Sequence, residues 1–534
     1  MATTNNRTAA PEARQDRTVL YVSIAIVVLF TGIALLFQEQ TGSVITAVNA
    51  FLCNDLGWLY LLMTAGFLAF GIAIAISRYG SIRLGRDDDK PEFGNLQWFA
   101  LLFGGGIGIG LVFWSVAEPM LHYASGPMNQ PFTPEAMRTA IRITFMHEGI
   151  HCWALFAVVG LALGYAQYRK GLPFLISSSF YPLIGERING WIGKLVDIIS
   201  AFATVFGIST SLGLGALQIT GGIGYIWGFE TNNGMTAIII GIITAVFTLA
   251  TVSGLHKWMS KVVNIKVLLS VMFMVFLLVF GGFVFIMQQM TDTLGAYFST
   301  FVNQTFWYGN PEWLFSWTVF YWAWWIAWAP FCGQFFARVS KGRTIRQMIL
   351  GGTLLPAGFS FIWITIYASA AFNMNASSGG AISEAVGVDY TTALYALLQQ
   401  LPWYTITAPL ALVLVIICFV GAADSATFVL PMLTMGGDMN PPKKARAFWG
   451  IAQGAITIAL ILVGGQSVLK TLQTASIFAA LPFMFVMLFM CIGVYKSLRS
   501  EFAPGNQAGF CGKGKGDTAD TAVQGGLPGQ ESAT

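Results

Sequence analysis

Twelve runs of mostly apolar residues, each roughly 20 long and so able to cross a hydrocarbon layer as a helix, divide this chain. They lie near 20–37, 58–77, 98–120, 141–165, 195–222, 234–253, 263–287, 314–335, 349–372, 404–433, 449–464 and 473–495. Of 534 residues 55% are hydrophobic and only 10% charged, where soluble domains carry roughly 25% charge. The fold class is therefore read as all-α integral membrane with twelve transmembrane helices. Residues 1–18 are polar and read as a disordered cytoplasmic N-terminus, 19–497 as the twelve-helix domain, and 498–534 as a disordered cytoplasmic tail. No cleavable signal peptide is expected, because the first apolar run is long enough to span.

Basic residues collect in alternate loops. Arg7, Arg14 and Arg17 precede the first run; Arg78, Arg83, Arg86 and Lys90 follow the second; Arg169, Lys170, Arg187 and Lys194 follow the fourth. Lys257 and Lys261 follow the sixth, Arg338, Lys341, Arg343 and Arg346 the eighth, Lys443, Lys444 and Arg446 the tenth, and Lys496 and Arg499 the twelfth. The opposite loops hold Arg138, Arg142 and Lys470. This alternation puts both termini in the cytoplasm of a multi-pass plasma-membrane protein. The formal charge of +4 is thus a topology signal and excludes a nucleic-acid footprint. The six cysteines form no C-x-x-C pair, and reduced thiols are expected. The stretch 290–310 is amphipathic and is expected to lie outside as a surface helix.

Residues 316–328 hold five tryptophans in thirteen positions. Tyr321, Trp324, Trp325 and Trp328 recur at helical i, i+3, i+4 and i+7, so they share a face. Aromatic faces attract cations without hydrogen-bonding them, which suggests a box for a methylated ammonium group. The alternative is an interfacial belt, but a belt holds one or two rings at a helix end and this cluster runs through the segment.

The third run opens with Phe103-Gly104-Gly105-Gly106-Ile107-Gly108-Ile109-Gly110. Glycines cost a helix about 1 kcal/mol each relative to Ala, and a membrane tolerates loosened backbone only where it is buried or lines a cavity. An unwound segment at Gly106, Ile107 and Gly108 is expected to face a solute; close helix packing is the other reading. The eighth run is expected to break at Ala329-Pro330-Phe331-Cys332-Gly333. Five runs separate the two interruptions, the offset of two inverted five-helix repeats (runs 3–7 and 8–12) with a midplane site between them and two peripheral N-terminal spans.

Phe103 to Trp114 with Ala117-Glu118-Pro119, Trp317 to Trp325, and Phe336 to Arg346 resemble the betaine/carnitine/choline transporter family. Gly207 to Gly215 and Ala423-Asp424-Ser425 match more weakly, and the resemblance covers about residues 15–497. It implies a LeuT-like core, a homotrimer, and alternating access for a small cationic or zwitterionic ammonium solute. It also implies box or gate roles for Trp324, Trp325, Trp328 and Trp153, with Trp322 a weaker candidate.

The chain departs from that family in two places. Where the family usually reads Phe-His-Trp-Gly, with the Trp lining the box, this chain has Met146-His147-Glu148-Gly149, and Phe156 replaces a Tyr. Glu148, Cys152 and Phe156 recur every four residues. An acid there has three readings: ionised and paired with the solute's cation, protonated because desolvation disfavours the charge, or turned to a neighbouring helix. A carboxylate prefers N–H donors to a methylated head, which points to a less methylated amine or a cation without its own carboxylate. Sodium-coupled members offer a Thr-Ser pair where this chain has Gly421 and Ala422, so two oxygen ligands are missing. Lys266 falls where a sodium-independent exchanger of the family has an Arg, and either supplies a fixed positive charge or snorkels to the surface. Cys332 falls where that exchanger has a Met in place of the other sodium. Proton-coupled choline-type members carry an Asp at the position of Gly110.

His147 and His151 are read as helix-packing residues rather than a metal pair, Glu118 as support for the end of its run, and His122 as a loop residue. Asp424 either braces a helix or senses protons. No nucleophile triad, phosphate loop, zinc cluster or cofactor motif is read. The expected function is a secondary transporter of glycine betaine, carnitine, choline or a related amine, by sodium-independent exchange or uptake. Proton- or sodium-coupled symport is the alternative, then a solute channel; an enzyme is not expected.

Overall fold

The computed structural model describes residues 16–106, 108–253 and 256–502. Ile107, both remaining termini with Cys511, and the side chain of Ser425 lie outside the described residues. The described chain is helical. The N-terminal helices are α1 (Thr18–Leu36), α2 (Gln38–Phe51), α3 (Gly57–Ile76), α4 (Asn95–Gly106), α5 (Ile109–Ser125), α6 (Pro134–Glu148) and α7 (Ile150–Gly164). Then come α8 (Tyr181–Ile184), α9 (Trp191–Trp227), α10 (Asn233–Ser253), α11 (His256–Phe280), α12 (Phe283–Thr305), α13 (Pro311–Leu314) and α14 (Phe320–Val339). The last are α15 (Ile345–Ser377), α16 (Ala381–Val388), α17 (Ala393–Gln399), α18 (Tyr404–Thr434), α19 (Lys443–Gly464) and α20 (Val468–Glu501). Among the described residues, eight helical stretches are each long and apolar enough to cross a membrane, and one bent pair makes a ninth. The protein is an integral, multi-pass membrane protein.

The described residues of the apolar runs are largely helical, with several differences in detail. The expected break at Ala329–Gly333 is absent: α14 runs unbroken through Pro330. Proline removes one N–H, and neighbouring helices support the helix around it. The chain breaks instead at Gly149, between α6 and α7, with φ −107° and ψ −131°. A Cβ at Gly149 would collide with the Phe145 carbonyl and the Phe361 ring, so glycine is required there. Residues 281–287 do not extend the seventh run; α11 ends at Phe280 and α12 departs at 105° through Gly281 and Gly282. Residues 290–305 of the amphipathic stretch belong to α12, which ends before residue 310. Helix α2 was not legible as a helix, because its sequence is too polar to read as a run. The boundary at 497 falls short, since α20 continues to Glu501, and Asp16 is tied to Lys194.

Helix α14 lies against α7, α9 and α20, so the aromatic segment is enclosed on several sides. At the end carrying the basic loops, Arg343 stacks on Trp98 at 4.0 Å and bonds Asn95 Oδ1 at 3.0 Å and the Phe93 carbonyl at 2.9 Å. Thr344 caps α15 through a reciprocal box with Gln347. These contacts clamp the 340–346 loop onto the 78–95 segment.

Candidate solute site

The α14 face forms as its spacing predicts. Trp324 and Trp325 stack at 4.6 Å between ring centres, Tyr321 lies 5.9 Å from Trp325 and 6.0 Å from Trp324, and all three are buried. The indole N–H groups point away from this face into backbone acceptors. Trp325 Nε1 donates to the His147 carbonyl at 2.7 Å. Trp153 Nε1 donates to the Glu148 carbonyl at 3.2 Å. Trp328 Nε1 donates to the Gly207 carbonyl (2.9 Å) and Ser211 Oγ (3.0 Å), and Trp324 Nε1 reaches the same two atoms at 3.3 and 3.1 Å. A buried N–H needs a partner; meeting that need with backbone fixes each ring.

Trp153 does not join the α14 stack directly. It stacks on Phe336 (6.2 Å) and meets Phe156 edge-on (5.6 Å), and Phe156 meets Trp325 edge-on at 6.1 Å. Trp322 points elsewhere, stacking on His151 at 4.9 Å. The Gly149 break interrupts the regular spacing expected of Glu148, Cys152 and Phe156.

The glycine stretch opens where expected. Helix α4 ends at Gly106, Gly108 is extended (φ −101°, ψ 173°), and α5 begins at Ile109. A Cβ on Gly108 would meet nothing within 4 Å, whereas one on Gly110 would lie 2.7 Å from Trp324 Cη2. The indole of Trp324 therefore rests on the bare backbone of Gly110, and an Asp there is incompatible with this arrangement.

Beside the rings lies a cluster that sequence reasoning missed. Glu118 is fully buried; its Oε1 meets His147 Nδ1 at 2.6 Å and His122 Nε2 at 3.3 Å, and its Oε2 accepts from Tyr321 Oη at 2.5 Å. His147 Nε2 pairs with Thr318 Oγ1 at 3.0 Å, and the His147 ring stacks on Tyr321 at 4.5 Å. His122 is thus a buried residue of α5, not a loop residue. Glu118, His122 and His147 bring ligand atoms within 4.8 Å of one another, but their bonds to each other and to Tyr321 and Thr318 make the set a brace between α5, α6 and the α14 segment. The signal for it was the Glu118–His122 spacing of one helical turn. His151 faces away, to Thr305 Oγ1 at 2.9 Å.

Glu148 contrasts with Glu118. It is 6% exposed, and its Oε1 has no hydrogen-bond partner. It lies within electrostatic reach of Tyr321, Cys152 and Glu118.

The residues named for coupling are not gathered in one place. Half-buried Lys266 is within electrostatic reach of Cys418, one turn before Gly421 and Ala422 on α18. A Cβ on Gly421 would meet nothing within 4 Å, so the missing hydroxyl leaves open space. Cys332 is instead within electrostatic reach of Cys152 of α7. Asp424 Oδ1 accepts from Thr251 Oγ1 at 2.6 Å and so braces α10 against α18.

On the side away from the basic loops, a cleft of about 1360 Å³ reaches inward between Asn49, Asn232, Glu312, Trp317, Tyr390 and Lys470. Two of its lining rings contact Trp114, Tyr390 by stacking (6.3 Å) and Trp317 edge-on (5.3 Å), and Trp114 in turn meets Tyr321 at 6.3 Å. Trp114 thus links the lining of the cleft to Tyr321 of the buried cluster.

Residues 18–503 match the family described as BCCT, betaine/carnitine/choline family transporter. The chain is 61% identical to a probable glycine betaine transporter of Desulfitobacterium hafniense over 91% of this chain and 98% of the relative. It is 43% identical to the glycine betaine transporter OpuD of Bacillus subtilis (90% and 94%) and 36% identical to a high-affinity choline transport protein of Escherichia coli (90% and 72%). The chain belongs to the betaine/carnitine/choline family of transporters.

Proposed function

We propose that this protein carries a small quaternary-ammonium or betaine-like solute across the plasma membrane by alternating access. The observation that carries the reading is the α14 cluster. Four indoles spend their N–H groups on backbone carbonyls and Ser211, which leaves π faces as the recognition surface. A cation over such faces, out of water, gains about 2 kcal/mol or more. Trp324, Trp325, Trp328, Tyr321 and Trp153 line or support the box, Gly106 and Gly108 flank the opening between α4 and α5 beside it, and Glu148 sits at its edge.

Twelve crossings, with inverted repeats over runs 3–7 and 8–12 and two peripheral spans, fit the helix order, although the unbroken α14 makes the two repeats unequal. The alternation of basic loops supports cytoplasmic termini, and on that reading the large cleft faces outward. A homotrimer follows from family likeness alone. Coupling is read as sodium-independent: Gly421 and Ala422 offer no side-chain oxygen, and Lys266 supplies a positive charge near that helix. The lone carboxyl of Glu148 favours proton coupling as the second reading.

Purified protein in liposomes tests this. Glycine betaine, carnitine and choline uptake is measured with a sodium gradient, with a proton gradient, or with solute trapped inside. Uptake without sodium, accelerated by internal solute, is expected. Strict sodium dependence would contradict the coupling, and no uptake of any of the three would contradict the function.

A further inference from the structure

We infer that the solute selected here carries at least one N–H on its ammonium group, as a dimethylammonium head does; this rests on reading the cluster as an ammonium box. Two buried carboxyls lie within electrostatic reach of each other, and they differ in one respect. Glu118 meets His147, His122 and the Tyr321 hydroxyl. Glu148 Oε1 meets no donor.

Three neighbouring donors are committed elsewhere. Tyr321 has given its hydroxyl hydrogen to Glu118. Trp325 and Trp153 have given theirs to the carbonyls of His147 and Glu148, on the main chain beside the orphan itself. Glu148 Oε1 is left as a buried, unsatisfied oxygen beside these rings. A buried acceptor left unmade is costly, and a hydrogen bond donated by an ammonium N–H is charge-assisted and so among the stronger ones. The complementary guest has methyl groups for the rings and an N–H for Oε1. A fully methylated nitrogen satisfies the rings and leaves the oxygen unmet. A site with a buried hydrogen-bonding group discriminates strongly against an analogue lacking the matching group.

The test compares glycine betaine with N,N-dimethylglycine, which differ by one methyl exchanged for hydrogen, in calorimetric titrations of the full-length purified protein at neutral pH. Wild-type protein is expected to bind dimethylglycine about tenfold or more tightly than glycine betaine. Glu148→Gln is expected to bring the two affinities close together, mainly by weakening dimethylglycine. Should that variant not fold, the wild-type series of sarcosine, dimethylglycine and betaine decides alone, with dimethylglycine expected to bind tightest. Glycine betaine binding as tightly as dimethylglycine, or a preference unchanged in Glu148→Gln, overturns the inference and leaves the box intact. Binding of neither solute overturns the box reading itself.

Discussion

Trp325 donates its indole N–H to the backbone carbonyl of His147 at 2.7 Å, two residues before the chain breaks at Gly149. The next carbonyl, that of Glu148, accepts from Trp153. One irregular point in a transmembrane segment thus anchors two large rings on different helices. An irregular turn offers carbonyls that a regular helix would spend on itself, so Gly149 and the tryptophans form one unit.

The two glycines flanking the opening of α5 should respond oppositely to the same change. Gly108→Ala adds a methyl into open space, and solute affinity should stay within about threefold of wild type, since a surface of this kind tolerates small groups. Gly110→Ala places its methyl against the Trp324 ring, 2.7 Å from Cη2. Displacing that ring should weaken binding by about tenfold or more, at the 1–3 kcal/mol typical of overpacking. Intrinsic tryptophan fluorescence titrations check both.

Ser211 Oγ accepts from both Trp324 and Trp328. Ser211→Ala leaves the Gly207 carbonyl as their remaining shared acceptor, at a cost of about 1 kcal/mol. Solute affinity should fall about fivefold with little change in thermal stability, as titration and a melting curve in detergent will read.

Tyr321→Phe removes a hydroxyl from Glu118 while keeping the ring. Hydrogen bonds to charged groups contribute about 1.5–3 kcal/mol, so the loss should appear mainly in stability. A clear drop in melting temperature with a modest change in affinity is expected; unchanged stability would mean that Glu118 finds another donor.

Glu501 ties the end of α20 to the end of α7. It accepts from Tyr165 Oη at 2.6 Å, pairs with Arg169 at 2.8 Å and Lys170 at 3.2 Å, and Arg169 continues to Asp87 at 2.6 Å. Glu501→Gln should cost about 2 kcal/mol, because the partners are largely shielded from water. Faster limited proteolysis at this end of the bundle, with solute affinity unchanged, is the expected readout.

The apolar runs were legible because their length and low charge leave no soluble alternative, and the α14 face because four large rings share one helical period. Glu118, His122 and Tyr321 could not be joined from sequence: their contact depends on how α5 and α14 pack, which no local spacing encodes. The Gly149 break was hidden inside an apolar run of ordinary length. Pro330 misled in the other direction, since a proline predicts a break only where the surrounding helices do not hold the segment.

The central claim is that indole faces on α14 hold the ammonium group, and Trp325 tests it most directly. Calorimetry on wild type and Trp325→Ala, using whichever of glycine betaine and N,N-dimethylglycine binds more tightly, should show a loss of about 2 kcal/mol or more, roughly thirtyfold in affinity. Wild-type affinity in a folded Trp325→Ala protein would contradict the account.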